Sequence, residues 1–179
     1  MSRLSKGFKD IDMPPILQLA LDFVDLHRAV NVAQLAVPEG VDWVEAGTPL
    51  IKSEGLDAVR ELKRLFPGKV IVADMKIMDA GRTEVEVAAK AGAQIVDVLG
   101  TATDATIAEC VQAGKNYGAK IAVDLIAVAD PVARAVPGES IGRAFFGIIG
   151  RLLEAPARAL STGPRKDEGA KDGQGTGQK

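Results

Sequence analysis

From Ile16 to about Ile126 the chain alternates between short, nearly unbroken apolar runs and longer segments with helical spacing. "ILQLALD" precedes "LHRAVNVAQLA", and "VDWVEA" precedes "SEGLDAVRELKRLF". "KVIVADM" leads into "RTEVEVAAKAGA" and "QIVDVLG" into "DATIAECVQAGKNYG"; a fifth run, "KIAVDLI", ends the series. Runs this apolar suit strands covered on both faces, as in a parallel sheet wrapped by helices. Val59, Leu62 and Leu65 recur at three-residue steps and form one core-facing stripe. Asp104 stands where a helix N-cap belongs, and Gly118 where a left-handed residue ends a helix. The pattern predicts repeated βα units with parallel strands.

Two architectures satisfy it: an open doubly wound sheet and a (β/α)8 TIM barrel. No G-x-G-x-x-G follows the first strand, and Glu109 stands where a P-loop ending at Gly114–Lys115 needs glycine. Polar residues collect instead at strand ends: Asp22, Glu45, Asp74 and Asp124. Barrels assemble their sites at that rim, from several strands at once, so the barrel is favoured.

The pattern breaks after Asp130-Pro131. The sequence divides into an N-terminal extension (1–13), a partial barrel (14–136), a helical segment (137–160) and a polar, glycine-rich tail expected to be disordered (161–179). In the helical segment Ile141, Phe145, Ile148 and Leu152 form an apolar stripe, and "FFGII" is a weak strand candidate. About five βα strands are visible, where a closed barrel has eight.

Composition narrows the classes. Hydrophobic residues at 47 % and charged residues at 26 % are globular proportions, and a net charge of -2 gives no case for nucleic acid. No run approaches the ~20 apolar residues of a membrane helix, and the N-terminus lacks the pattern of a signal peptide. The single cysteine, Cys110, falls at an apolar helical position, which predicts a buried thiol and a reducing, cytoplasmic setting.

The sharpest chemistry lies in "ADMKIMDAG", where Asp74, Lys76 and Asp79 close a buried strand. Asp74 and Lys76, two apart, face the barrel mouth together, and Asp79 follows in the loop. A lysine between two carboxylates stays protonated and can stabilise negative charge or deliver a proton. Glu45 and Asp74 offer hard oxygen ligands suited to Mg²⁺. A solvated ion-pair cluster would explain one such strand end; acids at the ends of strands one, two, three and five favour a functional site. His27 reads as a surface or capping residue and Trp43 as packing. Asp97, inside a buried strand, either points to the site or pairs with a lysine.

"LQLALD", "VEAGTPLIKSEGLDAVRELK", "ADMKIMDAG", "VDVLGTATDATI" and "AVDLIAV" together resemble the 3-hexulose-6-phosphate synthase family, within the orotidine-monophosphate decarboxylase superfamily of (β/α)8 barrels. The superfamily's D-x-K-x-x-D signature matches Asp74, Lys76 and Asp79. The resemblance implies a Mg²⁺-dependent aldol reaction joining formaldehyde and D-ribulose 5-phosphate through an enediolate, or its reverse. It assigns Glu45 and Asp74 to the metal, Lys76 to the intermediate's oxygens and Asp22 to positioning the substrate. Asp79 would reach the neighbouring subunit's site, which implies a homodimer. The closest alternative is 3-keto-L-gulonate-6-phosphate decarboxylase, which shares the signature and metal. The likeness stops near Ala135-Val136. The family's histidine after the sixth strand and its phosphate-binding loops after strands seven and eight find no match in 137–179. Asp97 also falls where the family tends to carry a small hydroxylated residue. Two classes therefore stand: an aldolase, or a truncated, inactive remnant that binds sugar phosphate or dimerises.

Overall fold

The computed structural model describes residues 16–135 and 145–147. The 1–13 extension, the 161–179 tail and all of the 137–160 segment except 145–147 lie outside the described residues. Six strands appear: β1 (Gln18–Leu21), β2 (Trp43–Ala46), β3 (Val70–Ile77), β4 (Ile95–Leu99), β5 (Lys120–Asp124) and β6 (Phe145–Gly147). They lie side by side in chain order, and every neighbouring pair is parallel. That order decides between the two architectures. A doubly wound sheet reverses its strand order at a switch point, whereas a barrel adds each new strand to the same edge. The chain is an α/β partial barrel, with β1 and β6 at the two ends of the sheet.

The crossovers are helical: α1 (Leu26–Ala36), α2 (Thr48–Glu54), α3 (Asp57–Leu65), α4 (Gly81–Ala91), α5 (Asp104–Tyr117) and α6 (Pro131–Ala135). "SEGLDAVRELKRLF" is not one helix: Gly55, at φ 67, ends α2, and α3 restarts at Asp57. Thr103, rather than Asp104, caps α5 by accepting a hydrogen bond from the Thr106 amide at 3.1 Å. Asp104 becomes the first helical residue, where its charge suits the positive helix end, and pairs with Arg134. Gly118, left-handed at φ 79, ends α5 as the sequence indicates.

Residues 145–147 are extended where the helical reading of 137–160 expected a helix. The "FFGII" strand candidate describes them better. Aromatic residues favour strands, and the free edge of β5 offers them a ladder.

Strand register separates two faces. Leu21, Ala46, Ala73, Val96 and Ile121 lie in one row and join the buried core with Leu50, Leu62, Val85 and Ile107 from the helices. Val59 and Leu62 of the predicted stripe are fully buried, and Leu65 is half-buried. Ala20, Glu45, Val72 and Ile95 form the alternate row, on the barrel's interior face. Asp74, Asp97 and Asp124 stand two residues beyond Val72, Ile95 and Ala122, so alternation points them inward as well. Among the described residues no helix is long and apolar enough to cross a membrane.

Candidate active site

Each strand end contributes differently to the rim. Asp22 follows β1, is exposed, and lies over Gly47; a Cβ there would stand 2.2 Å from Asp22 Oδ1 and 2.9 Å from the Leu21 carbonyl. Glycine at 47 is what lets the ends of β1 and β2 approach. Glu45, only 2 % exposed, accepts a hydrogen bond from the Gln18 side-chain amide at its Oε2. Burial, with Asp74 nearby, pushes the Glu45 carboxyl up to about 7.

β3 does not run regularly into the site. Ala73 pairs with Val96 and Ile77 with Val98, so Asp74, Met75 and Lys76 together face Asp97 alone. This bulge puts Lys76 at φ 52, a left-handed conformation unfavourable for a lysine. Bulges re-aim side chains, and here the lysine is turned across the sheet. Its Nζ sits 2.5 Å from Asp74 Oδ1 and 2.8 Å from Asp124 Oδ2. Burial works against the ammonium, but the bonds to Asp124 and Asp74 outweigh it and hold Lys76 above the ordinary lysine range. Lys76 is therefore a fixed cation.

Those carboxylates are themselves positioned. Asp74 Oδ2 accepts from the Thr48 hydroxyl at 2.6 Å and the Thr48 amide at 3.2 Å, at the start of α2. Asp124 Oδ1 accepts from the Ile126 amide at 2.9 Å. Asp97 differs from both: it is fully buried, and neither carboxylate oxygen has a partner among the described residues. Burial, then the charges of Asp74 and Glu45, push its carboxyl well above the usual range. Of the two readings open for Asp97, the strand register turns it to the candidate site, and it pairs with no lysine among the described residues.

The structure corrects the flanking of Lys76. Its second carboxylate is Asp124, not Asp79, because the bulge turns the lysine toward β4 and β5. Asp79 is exposed in the loop after β3, near Glu84, whose carboxyl is raised by burial and then by the Asp79 charge. His27 is exposed on α1, 3.2 Å from the Asn31 amide. Thr48 and Gln18 were not singled out from sequence; their only signal is proximity to the strand ends.

Glu45, Asp74, Asp97 and Asp124 are buried around one ammonium, and their mutual repulsion, which helps to raise the Glu45 and Asp97 carboxyls, favours a further cation. Among the described residues no three acidic, histidine or cysteine side chains form a ready-made metal cage. Mg²⁺ does not require one: it retains waters and commonly takes one or two carboxylates plus substrate oxygens. Glu45 and Asp74 fit that pattern.

Residues 15–137 match the orotidine 5'-phosphate decarboxylase / HUMPS family. The chain belongs to that family. The chain is 43 % identical over 138 residues to the 3-hexulose-6-phosphate synthase of Mycobacterium gastri, covering 77 % of this chain and 66 % of that protein. The solved 3-hexulose-6-phosphate synthase from Salmonella typhimurium superposes with a TM-score of 0.70 at 39 % identity, covering 74 % of this chain and 62 % of that one. The solved 3-keto-L-gulonate-6-phosphate decarboxylase from Vibrio cholerae gives 0.69 at 32 %, covering 73 % and 60 %. The match thus spans just under two thirds of these relatives' own length.

Proposed function

We propose that this chain is a 3-hexulose-6-phosphate synthase-like aldolase, condensing formaldehyde with D-ribulose 5-phosphate to 3-hexulose 6-phosphate, or running the reverse. The observation that carries the reading is Lys76 fixed between Asp74 and Asp124 on the interior face, beside the buried Glu45. In the forward direction carbon 1 of the ribulose phosphate loses a proton and bonds to the formaldehyde carbon, whose oxygen gains a proton. The reverse breaks that bond.

Lys76, held protonated, donates hydrogen bonds to sugar oxygens as negative charge develops there. Asp124 fixes the position of its ammonium, together with Asp74 until Asp74 takes up a cation. Asp22 orients a substrate hydroxyl at the rim, and Gly47 keeps that carboxylate in place. Glu45 and Asp74 would hold Mg²⁺, which when bound supplies positive charge beside the reacting oxygens. Exposed Asp79 extends to the site of a second copy in a homodimer. The single cysteine supports a cytoplasmic setting.

Decarboxylation of 3-keto-L-gulonate 6-phosphate is the second reading, favoured by the Vibrio cholerae likeness but at lower identity than the synthases. The test is to supply the full chain and Mg²⁺ with either substrate set. Formaldehyde loss with ribulose 5-phosphate supports the synthase. Release of CO₂ from the keto-gulonate phosphate without formaldehyde loss replaces it with the decarboxylase. Neither reaction would leave a sugar-phosphate-binding or dimerising remnant.

A further inference from the structure

Lys76 touches a carboxylate of β3 and a carboxylate of β5, so its ammonium lies across the intervening β4. The interior-facing β4 residue opposite the bulge is Asp97. Asp97 is 0 % exposed, and among the described residues both of its oxygens lack a partner. A buried carboxylate left this way is costly unless another state of the protein satisfies it.

Asp74 has the complementary problem. Lys76 occupies its Oδ1, while Thr48 occupies Oδ2 through hydroxyl and amide together. Oδ2 has both lone pairs filled, so a cation held by Asp74 must share Oδ1 with the lysine ammonium, and two positive charges on one oxygen repel. The Thr48 amide belongs to the backbone of α2 and cannot swing away, whereas the lysine moves on a flexible four-carbon stem. Lys76 is the partner that yields.

We propose that Asp97 is the reserve carboxylate for Lys76: when Asp74 turns Oδ1 to a divalent cation, the ammonium keeps Asp124 and drops onto Asp97. This rests on the proposed cation role of Glu45 and Asp74. Asp97 is then a positioning residue. It lets the cation and the lysine occupy the site together, where otherwise they would compete for one oxygen.

The test follows the Lys76 ammonium by ¹⁵N NMR of the full chain during a Mg²⁺ titration, with Lys76→Arg assigning the signal. Calorimetry of wild type and Asp97→Asn runs in parallel. The expected result is a Mg²⁺-dependent shift of the Lys76 signal, its protons still slow to exchange. Mg²⁺ binding should weaken about tenfold or more in Asp97→Asn, the range seen for partners just outside a metal's ligands. If wild type binds no Mg²⁺, the cation role of Glu45 and Asp74 fails and this inference fails with it. If Mg²⁺ binds but the lysine signal does not move, or Asp97→Asn binds as tightly, only the role of Asp97 is overturned. The wild-type titration decides the matter even if the variant misfolds.

Discussion

Lys76 Nζ lies 2.8 Å from Asp124 Oδ2, tying the third strand of the sheet to the fifth across the fourth. The contact makes Asp124 part of the candidate site. Replacing Asp124 with Asn should leave the fold intact and lower kcat by about 10²-fold, the lower end for removing one preorganised electrostatic group. Steady-state kinetics check this, and KM for ribulose 5-phosphate should move less than kcat.

Gly47 is a second prediction. An added Cβ meets Asp22 Oδ1 at 2.2 Å and the Leu21 carbonyl at 2.9 Å, and the second of these is backbone that cannot rotate away. Gly47→Ala should destabilise by ~1–3 kcal/mol, the usual cost of overpacking. Urea unfolding measures the loss, and KM should rise because Asp22 is displaced.

Asp97 sets a pH dependence. Its folded pKa is raised, so the folded state binds this proton more tightly than the unfolded chain does. Its contribution is least harmful below about pH 4, and stability declines as pH rises from there toward the folded value. Glu45 adds a decline of the same sign between its ordinary 4.5 and about 7. Thermal melts in a chelator should show wild type losing stability across this window. Asp97→Asn should flatten the slope and gain ~1–3 kcal/mol at neutral pH, because folding no longer has to take up a proton at a buried, unpartnered carboxyl.

Cys110 is fully buried in α5, as its apolar position in the sequence indicated, and burial pushes its thiol up to about 12. The native protein at pH 8 should react with a thiol-specific disulfide reagent only as fast as it opens. Urea should expose the thiol to rapid modification. A fast native reaction, followed by absorbance, would contradict this packing.

The βα repeat was legible because each strand is a short apolar run and each helix carries its own stripe, both local signals. So was the inward direction of Asp74, which follows from alternation along a strand. The partner of Lys76 was not legible. Choosing Asp124 over Asp79 requires both the strand order and the bulge at Asp74–Lys76, and neither leaves a mark on local sequence. Asp97 was visible as an anomaly, yet only the register shows that it faces the lysine's strand. The division of the second helical segment turned on one backbone angle, at Gly55. Thr103 took the cap from Asp104 because both residues suit that position and only geometry separates them.

In the proposed reaction Lys76, positioned by Asp124 and Asp74, works on a sugar phosphate. The most direct measurement is the rate of formaldehyde loss with Mg²⁺ and ribulose 5-phosphate, for the full chain against Lys76→Ala. A wild-type rate about 10²-fold or more above the variant is predicted. Equal rates, with both proteins folded, would contradict it.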